Sequence, residues 1–520
     1  MSDVPGLLVA MNDSLIETIV LRSGRYELAT AMCDAHAGSA LCLSRNLTLE
    51  AEESGGAVLS AKTRHRLIHV FVNVAVNLFG LGLTGGYNAG PELGGGGMLV
   101  EGTATLAHCS IHDNYARCNC RSGRGGGMFV TGVATLTHCK IYGNRVKHHQ
   151  GAGIYVTTGG TAALTNCSIY GNRNTHGDGG GMYAAGIVAL NHCSIYQNAA
   201  GNAGSGGGIV IKAQANLRDC AIHENSVGGL SNERRGGGVL IISGGSLIMA
   251  RCFIYQNNGY GHGGGIWAGG SSLVMIECTV NENRAGWGGG IKITAGDVEL
   301  VDCDIHYNRA TYGSQGGGME VSGSGALSMR NCDIHHNTAT AHGGLRLMRA
   351  GATLIGCHFH SNSDCCGLDL PSGTKLIGCT IEDSISPSNA ALIIDVASPP
   401  APPLLPALPP ACPFPPGHVN EGMSPECTCH VSANAGGGGH AWRRVDANVN
   451  FDLGRSDKPA PVDTCALLYC NGCSCYGLDD EGSMHSQPEG WSVAMPLCEP
   501  SPPSPYAPPP SPPAPPPPPP

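Results

Sequence analysis

Three sets of side chains in this 520-residue chain have the type and spacing to do chemistry. Carboxylates gather at Glu277, Asp302, Asp304 and Asp333, each beside a cysteine, with Asp302 and Asp304 flanking Cys303 and the other two one repeat to either side. A column of oxygen donors is what calcium takes, and two or three converging carboxylates are what glycoside hydrolysis needs. An acidic face in water is the simpler reading, so no catalytic residue and no metal ligand is assigned, and calcium is the one cofactor left open. The second set is a row of rings. The third residue after cysteine is His112, Tyr142, Tyr170, Tyr196, His223, Tyr255, His306, His335 or His360 in nine of eleven repeats. Stacked rings could grip sugars, and three histidines in consecutive repeats could hold a metal, but a ring ladder that stabilises the surface is the preferred expectation. The third set lies in segments of variable length: Tyr115, His148, His176, Tyr260, Trp287 and Tyr312, among amides and guanidinium groups. These six are the candidate ligand-binding residues, because flat rings with polar neighbours suit sugars.

The elements that position them follow from one repeat. Cysteines stand at 109, 139, 167, 193, 220, 252, 278, 303, 332, 357 and 379, a mean spacing of 27 residues. Ten are followed five residues later by asparagine: Asn114, Asn144, Asn172, Asn198, Asn225, Asn257, Asn283, Asn308, Asn337 and Asn362; the last has Ser384 there. A glycine triplet precedes most of them. A fixed period of this size means a solenoid whose coils bury their apolar faces only against their neighbours. Within a repeat such as residues 151–172, Ile154 and Val156 alternate with other residues, glycines break the run, and Cys167 and Ile169 stand two apart. That is period-two strand logic with turns, so the expectation is an all-β, parallel β-helix of about twelve to thirteen coils over residues 17–396. The cysteines should point inward as a thiol stack rather than a disulfide ladder, because in-register strands aim their Cβ atoms alongside each other. The asparagines should form a structural turn ladder, with left-handed backbone at that position. The triplet suits a positive-φ turn or close packing between coils.

Length variation separates edges. From asparagine to the next glycine the gap runs from four to ten residues, whereas the strand-bearing stretch varies little. Insertions therefore collect at one edge, where solenoids usually bind.

Composition sets further bounds. Glycine at 79, aromatics at 5 % and charge at 13 % fit many thin layers of small residues. The net charge of −10 carries no basic stripe, so nucleic acid is not an expected partner. Thirty of the 34 prolines lie after residue 398. The expected organisation is a β-helix over 5–396 with a cap helix at about 6–16, a Pro-rich linker over 397–416, a Cys-rich module over 412–498 and a disordered polyproline tail over 499–520. Eight cysteines in the module suggest disulfides, since Cys427 and Cys429 are spaced wrongly to complete a zinc site with Cys470 and Cys473. Residues 67–84 are apolar but hold His69, Asn73 and Asn77, and read as early strands rather than a membrane span. No secretory leader is visible in residues 1–17, yet the module and tail point to an extracellular or surface location. Sequons stand at Asn12, Asn46 and Asn166.

The pattern resembles the right-handed parallel β-helix superfamily (pectin-lyase-like). Its nearest likeness is to polymorphic outer-membrane-protein-type repeats, through GGGMFV (125–130), GGGMYA (179–184), GGGIWA (263–268), IYGN (141–144, 169–172) and IYQN (195–198, 254–257). The resemblance covers about residues 5–396, with 17–28 and 44–61 as the first coils. It implies the fold strongly and function weakly, because the fold hosts lyases, hydrolases, epimerases and adhesins. Gly261-His262-Gly263 copies the GHG of polygalacturonases and residues 289–294 echo their RIK, but the paired-aspartate and NTD motifs are missing, so chance is the better account. The expected function is structural or adhesive, toward carbohydrate or extracellular matrix; the alternative is a polysaccharide lyase or hydrolase. Three acidic groups with a base in one groove would favour the enzyme.

Overall fold

In a computed structural model, the described residues are 3–385 apart from short gaps at 30–37, 63–64, 90–93, 118–122, 203, 230–232, 312–314, 349–350 and 364–366, with strands at Leu392–Ile394, Leu468–Asn471 and Ser474–Gly477. The expected linker and tail, and all but the last two strands of the Cys-rich module, lie outside them. Those two strands pair with each other antiparallel, within a unit spanning 403–520.

Residues 1–402 form the other unit, a stack of coils. Each coil contributes one strand to each of three parallel sheets. The coil around Cys167 is representative. Ile154–Val156 follows the glycines and belongs to a 13-stranded sheet, here the triplet sheet. Thr161–Thr165 belongs to a 15-stranded sheet, the long sheet. Ser168–Tyr170 belongs to a 14-stranded sheet, the ring sheet. Register is kept from coil to coil: Met128, Ile154 and Met182 align, as do Leu136, Leu164 and Leu190, and Ile141, Ile169 and Ile195. This is the right-handed parallel β-helix the repeat implies. Ile154, Val156, Ala162, Leu164, Cys167 and Ile169 all point into one continuous core and are at most 1 % exposed. Four of these six, Ile154, Val156, Leu164 and Ile169, stabilise by about 1.5–3 kcal/mol each at most when fully buried, and such layers are what hold neighbouring coils together.

The cysteines form an inward column, and among the described residues the eleven are free thiols. Their Sγ atoms lean on backbone carbonyls, as Cys167 does on Thr165 O at 3.2 Å. The neighbouring Cys332 sulfur, with burial, pushes the Cys357 thiol up to about 12, so it stays protonated at neutral pH. Cys42, on strand Ser39–Leu43, is instead disulfide-bonded.

Besides the first glycine of the triplet, two positions per coil take left-handed backbone, and neither is the ladder asparagine. The residue before the cysteine takes it (His138 φ 53°, Asp302 φ 52°), and so does the residue before the asparagine (Gln197 φ 52°, Glu282 φ 54°). The expectation of a left-handed asparagine is therefore off by one residue: the amide is used for bonding, and its predecessor makes the bend. The triplet meets both of its expected demands. Gly125 has φ 65°, while a Cβ on Gly127 would stand 2.6 Å from the Gly153 carbonyl oxygen of the next coil.

One helix, Val4–Asn12, stands before the first strand. It begins and ends earlier than the expected 6–16. Asp3 caps it by accepting from Gly6 N at 2.7 Å, and Asp13 ends it in extended backbone. Leu7, Ala10 and Met11 bury against the core, covering the apolar end of the stack as a solenoid requires. Arg45 ties it down, donating to the carbonyls of Ala10, Met11 and Asp13. Residues 67–84 are coil strands, Arg66–Val70, Ala75–Phe79 and Leu81–Thr84. Among the described residues no helix is long and apolar enough to cross a membrane.

Candidate functional site

The ladder asparagines are interior. Asn198 is 0 % exposed. Its Nδ2 donates to Ile169 O at 2.8 Å and Asn225 Oδ1 at 3.0 Å, and its Oδ1 accepts from Asn172 N and Nδ2 at 3.1 and 3.0 Å. The same pattern runs from Asn114 to Asn362. It ends on Asp383, whose carboxylate accepts from Asn362 N and Nδ2, one residue before the Ser384 at the nominal ladder position. Amides so placed serve the scaffold and are out of a ligand's reach.

The surface worth examining is the outer face of the triplet sheet. Its middle residue points away from the core. Register aligns His69, Leu99, Phe129, Tyr155, Tyr183, Val210, Leu240, Trp267, Lys292, Glu320, Arg346 and Asp369. Simple alternation would expose these positions. Instead Leu99 to Trp267 form a second apolar cluster, none more than 7 % exposed. The variable loops provide part of the cover. Arg124 lies over the Tyr155 ring at 5.1 Å, and Arg235 over Trp267 at 4.7 Å. Arg124 is held by Gln150 Oε1 at 2.8 Å.

Beyond Trp267 the same column becomes ionic, with alternating sign. Lys292 donates to Glu320 Oε1; Arg346 Nη1 lies 3.4 Å from that oxygen, and its Nε lies 3.5 Å from Asp369 Oδ2. Lys292 and Glu320 side chains are only 8 % and 3 % exposed, so they are a buried pair. Burial lowers the Lys292 pKa, against the opposing pull of Glu320. Two loop histidines join them. His342 stands 3.7 Å from Asp369, and burial lowers its pKa. Burial first, then Lys292 and Arg235, lowers His262 to about 4. The GHG histidine and the lysine of residues 289–294 are thus brought into electrostatic contact, although each alone reads as chance.

The six edge residues do not form one cluster. His148 and His176 stack at 5.1 Å, and Trp287 stacks on His262 at 4.9 Å. Tyr115 packs edge-on against Tyr87. Tyr260, half-buried, has left-handed backbone and takes a bond from its amide to Asn258 Oδ1. Tyr312 lies outside the described residues. The ring column of the ring sheet is one face-to-face stack from His112 to Tyr255, with spacings of 4.6–5.0 Å. Asn281 interrupts it, and it resumes from His306 to His360. The ring faces are used on one another, which leaves edges rather than faces to solvent.

The acidic set splits in two. Glu277 and Asp302 occupy exposed left-handed turns, Asp302 accepting from Asn331 Nδ2 at 3.1 Å. Asp304 and Asp333 stand on the ring sheet among histidines. The ionic column was missed because its members are 23–28 residues apart in different motifs. Reading the second residue after each triplet down the repeats would have found it.

A family model described as "Right handed beta helix region" matches residues 94–235 and 289–396. No curated protein matches the chain. Among solved structures, the mannuronan C-5 epimerase A-module of Azotobacter vinelandii aligns at a TM-score of 0.38 and 11 % identity, over 75 % of this chain and 95 % of that one. Tailspike protein 3 of bacteriophage CBA120 aligns at 0.39 and 12 %, over 74 % and 57 %. A mannuronic acid specific polysaccharide family 6 lyase from human gut microbiota aligns at 0.34 and 12 %, over 75 % and 84 %. Three in-register parallel sheets give this chain the fold of a right-handed parallel β-helix, and its matched residues are similar to that family.

Proposed function

We propose that this β-helix is a surface-displayed or secreted adhesive protein that holds carbohydrate or a matrix glycan along the loop-bearing edge of the triplet sheet. The observation that carries this reading is that loop residues from several coils fold toward one outward column: Arg124 lies over Tyr155, Arg235 lies over Trp267 four coils on, and Trp287 stacks on His262. Rings and planar cations are the groups that bind sugar faces and carboxylates. The nearer relationship to polymorphic outer-membrane-protein-type repeats belongs to the same proposal and rests on the GGG and IYxN motifs. A glycan array probed with the full chain, with and without calcium, tests it. Trp287→Ala should weaken the selected glycan by about 1–3 kcal/mol without moving the melting temperature. Unchanged binding in Trp287→Ala and Tyr260→Ala would remove the edge as the site.

A second reading, a lyase or hydrolase, is favoured by the ionic column. It gathers two carboxylates, two cations and two histidines, against the three acids and a base that the sequence criterion asks for. Lys292 and Arg346 are the cations such a site would set against a uronic carboxylate. Turnover of a uronic-acid polymer that is abolished by Lys292→Met would replace adhesion with this activity.

A further inference from the structure

We propose that the outer face of the last ring-sheet coils binds two divalent transition-metal ions, one through Asp304, His306 and His335 and one through Asp333, His358 and His360. Strands Asp304–His306, Asp333–His335 and His358–His360 pair in parallel register. Asp304, Asp333 and His358 therefore form one outward column, and His306, His335 and His360 a second, two residues away on the same face. The preceding coil has Thr279 and Asn281 at these positions, and the six coils before it carry Ser110, Lys140, Ser168, Ser194, Ala221 and Phe253 in the first column, none of them an acid or a histidine. Paired donors are thus confined to the last coils rather than spread along the stack.

The geometry is close to that of a metal centre. Asp304 Oδ1 lies 2.8 Å from His306 Nδ1 and 3.1 Å from His335 Nε2. Asp333 Oδ1 lies 3.3 Å from His360 Nε2 and 3.8 Å from His358 Nδ1. In each set one donor atom from every residue lies within 4.8 Å of the others. Small ring rotations bring such atoms onto one ion at about 2.0–2.2 Å. The strands are pinned by the sheet and by Asn308, Asn337 and Asn362 behind it, so little backbone order has to be created on binding. Outer partners are in place as well: His336 Nδ1 at 2.8 Å from His335 Nδ1, and Glu382 Oε1 at 3.2 Å from His358 Nε2.

The donor chemistry selects the ion. Two imidazoles and one carboxylate suit zinc, copper, nickel or cobalt. Calcium and magnesium ask for an all-oxygen shell, which these residues do not offer. Three protein donors leave positions for water or an incoming ligand, and the side chains of Asp304, His306 and His335 are 43 %, 18 % and 18 % exposed, so the site is open to exchange.

The test is metal stoichiometry on the full chain. Zinc titrated calorimetrically into metal-stripped protein should give two bound equivalents attributable to this face, with no competition from a large excess of calcium. Asp304→Asn with His335→Gln should remove one equivalent, and His358→Gln with His360→Gln the other, while circular dichroism stays that of the intact β-helix. Cobalt should give ligand-field bands without a thiolate charge-transfer band, which separates this face from the cysteines. Unchanged stoichiometry in both double variants, a thiolate band as the only signal, or no binding by the wild-type chain would overturn the proposal. If a variant fails to fold, the wild-type stoichiometry and cobalt spectrum still decide.

Discussion

The coils before residue 280 and those after it share an interior and differ outside. Within, Asn198 and Asn308 make the same set of bonds, to a carbonyl one coil back and an amide oxygen one coil on. The cysteine column passes through both halves unchanged. Outside, the triplet-sheet column turns from Leu240 and Trp267 to Lys292, Glu320, Arg346 and Asp369. The ring column turns at nearly the same coil from tyrosine-rich to histidine and aspartate. The period fixes only what every coil must hand to its neighbour. Residues that face away from the core are free to differ, and there the chain places its titratable groups.

The largest effect should come from breaking the ionic half. Lys292→Ala leaves Glu320 buried with only Arg346 at 3.4 Å, and should cost about 3 kcal/mol in a denaturant melt. Replacing the pair with Leu at both positions extends the apolar column of the other half and should cost close to nothing. A nearly silent Lys292→Ala would mean that the column is effectively solvated and the two exteriors are energetically alike.

Asparagine substitutions test the shared interior. Asn198→Ala and Asn308→Ala should each destabilise by about 2–3 kcal/mol, because each strands buried donors and acceptors on both neighbouring coils. Equal costs are expected. A cost confined to one half would show that the interiors differ too.

The smallest effect is titration. Burial with Lys292 and Arg235 holds His262 at about 4, below the ordinary 6.5 or so. A depressed histidine favours the neutral folded form, so its contribution is complete above about pH 6.5 and is lost as pH falls toward 4. The side chain is partly exposed, which limits the effect to about 1 kcal/mol. Acid melts of the wild-type chain and His262→Asn should converge below pH 4 and separate above 6; parallel curves would remove His262 from the balance.

The coil itself was legible in the sequence because it is written eleven times. Strand parity around Cys167 and Ile169 gave the inward faces, and the glycine triplet gave the tight approach. What was not legible depends on neighbours far along the chain. The left-handed residue sits one position before the asparagine because the amide must stay aligned for the ladder, a demand invisible in any single repeat. Asp383 ends that ladder although Ser384 holds the motif position, since a carboxylate accepts both bonds that Asn362 offers. The middle residues of the triplet strands looked exposed by alternation, yet those from Leu99 to Glu320 are buried, in part under loop residues such as Arg124 and Arg235. His148, His176, Tyr260 and Trp287 lie in the loops as read, whereas Tyr115 stands on a short strand, Tyr115–Ala116, paired with Tyr87 and Arg145; the five make separate contacts, because loop conformation does not follow from the period.

The asparagine ladder also makes the molecule divisible. Each coil accepts two bonds from the coil before it and offers two to the next, so one coil boundary is chemically equivalent to another. Whole coils can be gained or lost by duplication or deletion without rewriting the rest, and the length of the face becomes a quantity that changes in integer steps, each about one strand spacing of 4.8 Å. A surface built this way is a ruler: matching a longer repeating partner needs another copy of the same sentence, not a new one.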